Sequence, residues 1–262
     1  MVDREIDIPT PDGVMNTFVT HPEEGGPHPA IIFYMDAPGK REELHDMARR
    51  LATTGYYVIL PNLYYRRSRD FKLLGRTEPE MAEMFEHMHS LKRPMILSDT
   101  QVLLDFIDND PAALGGQSGG PGSKVGVVGY CMSGPFIFWA AEAHPQRIAA
   151  AASIHGVSLC TDDADSPHKT AHRIKAELYV GAAETDVWAP SEMINALDAH
   201  LKTTGIRYRV EWYPGTHHGF VFPKREGMYD KPSAERHWER LHALFERNLS
   251  RDLSRNLLHT PL

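Results

Sequence analysis

The chain has 262 residues, of which 42% are hydrophobic and 24% are charged, and these are ordinary proportions for a globular protein. Its formal net charge of −7 argues against nucleic acid or an anionic membrane surface as the main partner. No segment approaches about 18 consecutive apolar residues, so no transmembrane helix is expected.

The N-terminus and the cysteines indicate a cytoplasmic protein. The first residues, MVDREIDIPTPDG, are charged and lack the apolar stretch of a signal peptide. The chain has two cysteines, Cys131 and Cys160, and such low usage is typical of a reducing compartment. We therefore expect both thiols to be free.

The N-terminal half begins with strands and one clear helix. Alternating residues predict a hairpin over 4–8 and 15–19, followed by buried strands over 30–35 and 56–60. Between them, apolar residues at helical spacing predict a helix over 42–53, and Gly55 is placed to cap it in the left-handed conformation.

The next segment is polar and rich in methionine. Residues 66–94 predict a loop with a short helix, and 95–110 predict an amphipathic helix. Within the first of these, a methionine and phenylalanine cluster recurs at three- and four-residue spacing: Met81, Met84, Phe85 and Met88. We expect this cluster to belong to the core, and a mobile lid beside a site is the alternative.

The C-terminal half alternates strands and helices. Glycine-rich residues 115–123 lack the Gly-Lys-Ser/Thr ending of a phosphate-binding loop and predict a flexible connector. Strands are then predicted over 124–130, 148–156, 176–183 and 207–213, and helices over 136–144, 191–205 and 233–249. This alternation predicts a mostly parallel sheet with helices on both faces. We expect one domain over 1–262, with its core at about 4–249 and a short tail at 250–262.

Three of the predicted strands end at chemically reactive residues. The strand at 124–130 is followed by Cys131, and the strand at 176–183 by ETD, which contains Asp186. The strand at 207–213 is followed by PGTHHGF, which contains His217 and His218. Reactive groups of parallel sheets gather at the carboxyl ends of strands, and nucleophile, acid and histidine in this order are typical of the α/β-hydrolase fold.

The residue types suit nucleophilic catalysis. A thiol attacks as its thiolate, a neighbouring imidazole takes its proton, and an aspartate fixes the orientation of that imidazole. The nucleophile has to project from a sharp strand-to-helix turn, and small neighbours such as Gly129, Ser133 and Gly134 allow it. Ser133 as a substitute nucleophile and Cys131 as an ordinary core thiol are the alternatives. Cys160 has no histidine in register and is expected to be inert.

The chain resembles the dienelactone hydrolase family of α/β-hydrolases in three motifs: GYCMSG, GAAETDVWAP and YPGTHHGF. A longer segment is similar to the N-terminal half of that family: MDAPGKREELHDMARRLATTGYYVILPNLYYR. The resemblance spans about residues 4–249. It implies Cys131 as nucleophile, Asp186 as orienting acid and His218 as base, the last preferred to His217 because it directly precedes Gly-Phe. It also implies an oxyanion hole made by the backbone N–H groups of Met132 and Ala37.

The family likeness extends less clearly to the substrate-binding residues. Asp36 stands where the family commonly has a glutamate that contacts the resting cysteine, and whether the shorter acid gates the thiol is left open. Relatives acting on dienelactone bind its carboxylate through arginines, one of them shortly after the catalytic histidine, but here Phe222 stands four residues after His218. The candidate substrate contacts are therefore Asp36, Arg66, Arg67, Trp188, Phe222 and Lys224.

No cofactor or metal is expected. His87 and His89 have no companion at zinc-site spacing, and we expect them on a solvated face.

The predicted function is cleavage of an ester or enol-lactone through an acyl-cysteine, on a small substrate with or without a carboxylate. A general carboxylesterase or thioesterase, or a non-catalytic ligand-binding or redox-sensing protein, are the alternatives, and both a monomer and a homodimer fit the sequence.

Overall fold

An eight-stranded sheet forms the centre of the computed structural model, which describes residues 1–114 and 123–249. Its strands are β1 (Val2–Thr10), β2 (Gly13–His21), β3 (Ala30–Tyr34), β4 (Tyr57–Pro61), β5 (Val125–Tyr130), β6 (Ile148–Ile154), β7 (Glu177–Thr185) and β8 (Tyr208–His217). They lie in the order β1-β2-β4-β3-β5-β6-β7-β8. The two pairings β1–β2 and β2–β4 are antiparallel, and all others in the sheet are parallel.

Helices cover both faces of this sheet. The described α-helices are α1 (Glu42–Ala52), α2 (Glu78–Ser90), α3 (Arg93–Asn109), α4 (Gly134–Ala143), α5 (Ser191–Leu201) and α6 (Lys231–Asn248). Two glycines of β5 show the two faces directly. A side chain at Gly126 would meet Phe245 of α6, whereas one at Gly129 would meet Ile137 of α4. Since these positions point to opposite sides of the strand, α4 and α6 lie on opposite faces.

The burial pattern explains why these strands form the core. All residues of β3, β4 and β5 are buried, as expected for parallel strands with helices on both sides. The edge strand β1 is instead mostly exposed or half-buried. This confirms the prediction of a mostly parallel sheet covered on both faces.

The predicted elements agree with the observed ones to within a few residues, with one notable difference. The short helix expected within 66–94 is the thirteen-residue α2, whose N-terminus has a capping box between Thr77 and Glu80. The predicted connector at 115–123, apart from its last residue, and the predicted tail at 250–262 lie outside the described residues. Within the described ranges, no helix combines the length and apolar character needed to cross a bilayer.

Candidate active site

Cys131 lies on a sharp turn between β5 and α4. Its φ angle is +56°, a left-handed conformation that is uncommon for a residue with a side chain. A 3₁₀ turn over Cys131–Ser133 follows directly and leads into α4 at Gly134. Such a strained strand-to-helix turn holds the side chain at its apex out of the sheet, which is the geometry of a nucleophile elbow.

Small residues around the turn are required by close packing. A Cβ atom at Gly129 would lie 2.8 Å from the carbonyl oxygen of Ser133, and one at Gly134 would lie 2.4 Å from the Cα of Gly156. Ser133 is fully buried, and its hydroxyl donates a hydrogen bond to the main-chain carbonyl of Met35. The serine therefore supports the turn, because its hydroxyl is bonded to the residue that directly follows β3.

Asp186 and His218 are in direct contact. The Nδ1 atom of His218 lies 2.7 Å from Oδ2 of Asp186, whose carboxylate is fully buried. The other oxygen, Oδ1, accepts hydrogen bonds from the backbone N–H groups of Trp188 and Ala189 at 2.9 and 3.0 Å. This local turn within ETDVWAP fixes the carboxylate, and the carboxylate in turn fixes the imidazole.

The same imidazole interacts with the thiol of Cys131. Burial alone would lower the pKa of His218, but hydrogen bonding to Asp186 and to Cys131 outweighs it and raises that pKa to about 9. Because Nδ1 is engaged with Asp186, Nε2 is the ring nitrogen left for the sulfur, and His218 and Cys131 border the same cavity. His217, the preceding histidine, is exposed. The structure thus brings Cys131, His218 and Asp186 together in one chain of contacts.

Ala37 and Met132 flank the cysteine. Ala37 follows β3, is nearly fully buried and borders the same cavity as Cys131 and His218. The Tyr64 hydroxyl lies 2.9 Å from the carbonyl oxygen of Ala37, to which it donates, and 3.1 Å from the sulfur of Met132. Tyr64 therefore ties together the two segments whose backbone N–H groups were predicted to hold an oxyanion.

Asp36 is held by two arginines. Its carboxylate is fully buried and pairs with both terminal nitrogens of Arg41 and with Nη2 of Arg225 at 3.3 Å. Arg41 also contacts Glu43 at 2.8 Å, and Glu43 accepts from the backbone N–H of Lys224 at 2.9 Å. This ion-pair network links the loop after β3 to the segment after His218.

The other predicted substrate contacts are spread over several places. Arg66 forms a two-pronged ion pair with the fully buried Asp99 and also contacts Asp12, while Arg67 pairs with Glu86 at 3.4 Å. Lys224 borders a separate cavity together with Arg50 and Trp238. Phe222 is fully buried, with the guanidinium groups of Arg41 and Arg225 over its ring.

A cavity of about 320 Å³ opens beside Cys131 and His218. Much of its wall comes from the methionine and phenylalanine cluster of α2: Met81, Met84, Phe85 and Met88. Of these, Met84 is buried in the core, and Phe85 packs against the half-exposed Trp188, with ring centroids 5.8 Å apart. Arg76 and Arg225 are the arginines among the described lining residues. Helix α2 thus covers the reactive residues with a mainly apolar surface.

The sequence-based prediction was wrong about one buried histidine, His87, and overlooked another, His155. The prediction that His87 lies on a solvated face is wrong, because its ring is buried, stacks on Tyr64 and packs at a tilt against Phe71. His155 follows β6 directly, is fully buried and packs edge-on against His218, with ring centroids 4.7 Å apart. Burial and the nearby charge of His218 hold the pKa of His155 well below its usual value. The position of His155 directly after a parallel strand could have identified it as a residue near the site.

Comparison with known proteins matches most of this chain to one protein family. The model of the dienelactone hydrolase family matches residues 15–249. The chain is 28% identical over 251 residues to "Putative carboxymethylenebutenolidase" of Methylorubrum extorquens, covering 94% of this chain and 81% of that one. It is 23% identical to the protein of the same name from Synechocystis, covering 93% and 96%.

Solved structures show the same fold. The crystal structure of "Putative Dienelactone Hydrolase" from Klebsiella pneumoniae superimposes with a TM-score of 0.80 at 24% identity, covering 93% of this chain and 98% of that one. Dienelactone hydrolase from Anabaena variabilis gives a TM-score of 0.67 at 15% identity, covering 95% and 99%. The predicted α/β-hydrolase fold is confirmed.

Proposed function

Because this chain belongs to the dienelactone hydrolase family, we propose that it hydrolyses an ester or enol-lactone through an acyl-cysteine intermediate. In this proposal Cys131 is the nucleophile, His218 is the general acid and base, and Asp186 orients the histidine. The observation that carries it is the position of His218, which contacts the carboxylate of Asp186 through Nδ1 and borders the same cavity as Cys131.

The first half of the reaction forms the acyl-enzyme. The sulfur of Cys131 attacks the carbonyl carbon as a thiolate beside the protonated ring of His218. Negative charge develops on the carbonyl oxygen, where the backbone N–H groups of Met132 and Ala37 would stabilise it. The bond to the leaving oxygen then breaks as His218 donates its proton to that oxygen, and the alcohol or enol departs.

The second half releases the acid. Neutral His218 takes a proton from a water molecule, which attacks the thioester carbonyl and displaces the sulfur of Cys131. The proton held by His218 restores the imidazolium beside the thiolate. Asp186 stabilises the ring whenever it is charged and keeps Nε2 directed at the reacting atoms throughout.

A general carboxylesterase or thioesterase on this scaffold is the second candidate. The engagement of Arg66 with Asp99 and of Arg67 with Glu86 favours it, because neither cation is then free to bind the carboxylate of a dienelactone. Both candidates use the same acyl-cysteine chemistry and differ only in substrate.

Alkylation with iodoacetamide tests the proposed nucleophile. We expect hydrolysis of p-nitrophenyl acetate to be lost in step with the modification of Cys131, and excess ester to slow both. Cys160 is an internal control, because burial and the charge of Asp162 raise the pKa of its thiol and slow its reaction near neutral pH. Full activity in a protein whose Cys131 is completely alkylated would contradict the proposal.

A further inference from the structure

We propose that the site takes a neutral ester with an extended apolar acyl group, which lies in a groove that runs past Met88 of α2 into a second cavity. This inference rests on the proposed function and adds the substrate class. It is carried by the shape and composition of the walls around Cys131.

The wall of the first cavity is built mainly from apolar side chains. Besides the cluster on α2, it includes Pro38, Leu73, Val157 and Trp188. The segments that contribute Leu73 and Trp188 also expose apolar side chains at the surface, since Leu74 is 81% exposed and Val187 is 84% exposed. Pockets lined mainly by apolar and aromatic side chains are typical of binding sites for small apolar ligands.

A second cavity of about 390 Å³ continues beyond the first. The two cavities share four lining residues, Met88, His89, Val157 and Ser158, and therefore adjoin. The nearer part of the second cavity is lined by Met132, Pro135, Phe136 and Trp139, which are buried apolar residues next to the cysteine turn. Together the cavities offer far more room than a small monocyclic lactone needs.

The position of His218 decides which part of the substrate points into the second cavity. His218 must reach the leaving oxygen, so the alcohol portion lies on the side of His218 and Trp188. The second cavity instead borders Met132, which directly follows the nucleophile, and contains neither of those residues among its described lining. An acyl chain extending away from His218 therefore runs past Met88 and Val157 towards Phe136.

The charges along this path disfavour a carboxylate on the acyl chain. Arg225 borders the first cavity but is paired with Asp36, and Arg76 is exposed on the loop before α2. The outer part of the second cavity has two carboxylates, Asp163 and Asp165, against one amine, Lys92. An anionic end group there would be repelled on balance, whereas an uncharged chain would not.

Three p-nitrophenyl esters test the proposal: the acetate, the heptanoate and the monoester of adipic acid, which matches the heptanoate in length but carries a carboxylate. We expect kcat/KM for the heptanoate to exceed that for the acetate by about 10-fold or more, and to exceed that for the adipate monoester by a similar factor. In Met88→Trp, added bulk where the cavities adjoin should lower the heptanoate-to-acetate ratio by about 5-fold or more.

Met228→Trp is the matched control, because Met228 is a partly exposed methionine that borders neither cavity. It should keep the wild-type ratio of heptanoate to acetate hydrolysis.

Val157→Phe obstructs the same passage and replaces Met88→Trp if that variant does not fold. A ratio unchanged in both obstructing variants, or a preference for the adipate monoester that is lost in Arg76→Ala, would overturn the groove proposal alone. Hydrolysis of none of the three esters would overturn the proposed function and the groove with it.

Discussion

Replacing Cys131 with alanine is expected to lower kcat/KM for p-nitrophenyl acetate by about 10⁴-fold or more, the order of effect seen when a nucleophile is removed. No neighbouring group can take over the attack, because the hydroxyl of Ser133 is buried and donates to the carbonyl of Met35. The loss should appear in kcat, since the cavity that binds the ester remains. Steady-state kinetics measured alongside circular dichroism would show this loss in a folded protein.

Cys160→Ala is the matched control for this substitution. Cys160 is also a partly buried free thiol, but it lies in the loop after β6 and is not among the described residues that line the cavity beside Cys131 and His218. It should retain the activity of the wild type. Retained turnover in a folded Cys131→Ala protein would contradict the assignment of the nucleophile.

Replacing His218 with alanine is expected to lower kcat by about 10³-fold, within the range that general acid–base catalysis contributes. The variant loses the imidazolium beside the sulfur, the proton donor for the leaving oxygen and the base that activates water. His217→Ala is the matched control, because this neighbouring histidine is exposed at the end of β8. Equal losses in the two variants would contradict the role given to His218.

The pKa of His218 also predicts how stability depends on pH. Its pKa is raised in the folded state from an ordinary 6.5 to about 9, so the folded protein binds this proton more tightly than the unfolded chain does. The resulting stabilisation is fully present below about pH 6.5 and is lost as the pH rises through about 9. The difference in Tm between wild type and His218→Ala should therefore shrink over that interval. A difference in Tm that grows towards high pH would show that protonated His218 does not stabilise the fold.

Much of the site could be predicted because it follows the ends of strands. In a parallel sheet these ends share one edge, so the sequence alone predicts that the residues after β5, β7 and β8 lie near one another. The same reasoning applied to β6 points to His155, which packs against His218. The small residues of GYCMSG were similarly informative, because a tight turn leaves few choices of side chain.

The remaining features depend on contacts between distant segments. The pairing of Arg66 with Asp99 joins the loop after β4 to α3, and no local pattern shows which carboxylate will capture an arginine. The burial of His87 likewise depends on where α2 packs against Tyr64 and Phe71. Helical spacing of the methionines predicted an apolar face but could not show that this face would cover a cavity rather than fill the core.

Detection of the acyl-enzyme tests the role of Cys131 most directly. Wild-type protein would be mixed with p-nitrophenyl acetate, quenched in acid within the first turnover, and analysed by intact mass and peptide mapping. Because the activated leaving group departs readily, release of the acyl group is the slower step and the intermediate accumulates. We predict one acetyl group per chain, carried by Cys131 and formed together with the burst of p-nitrophenolate. A burst with no acetyl group on Cys131, or with the group on Ser133, would show that Cys131 is not the nucleophile.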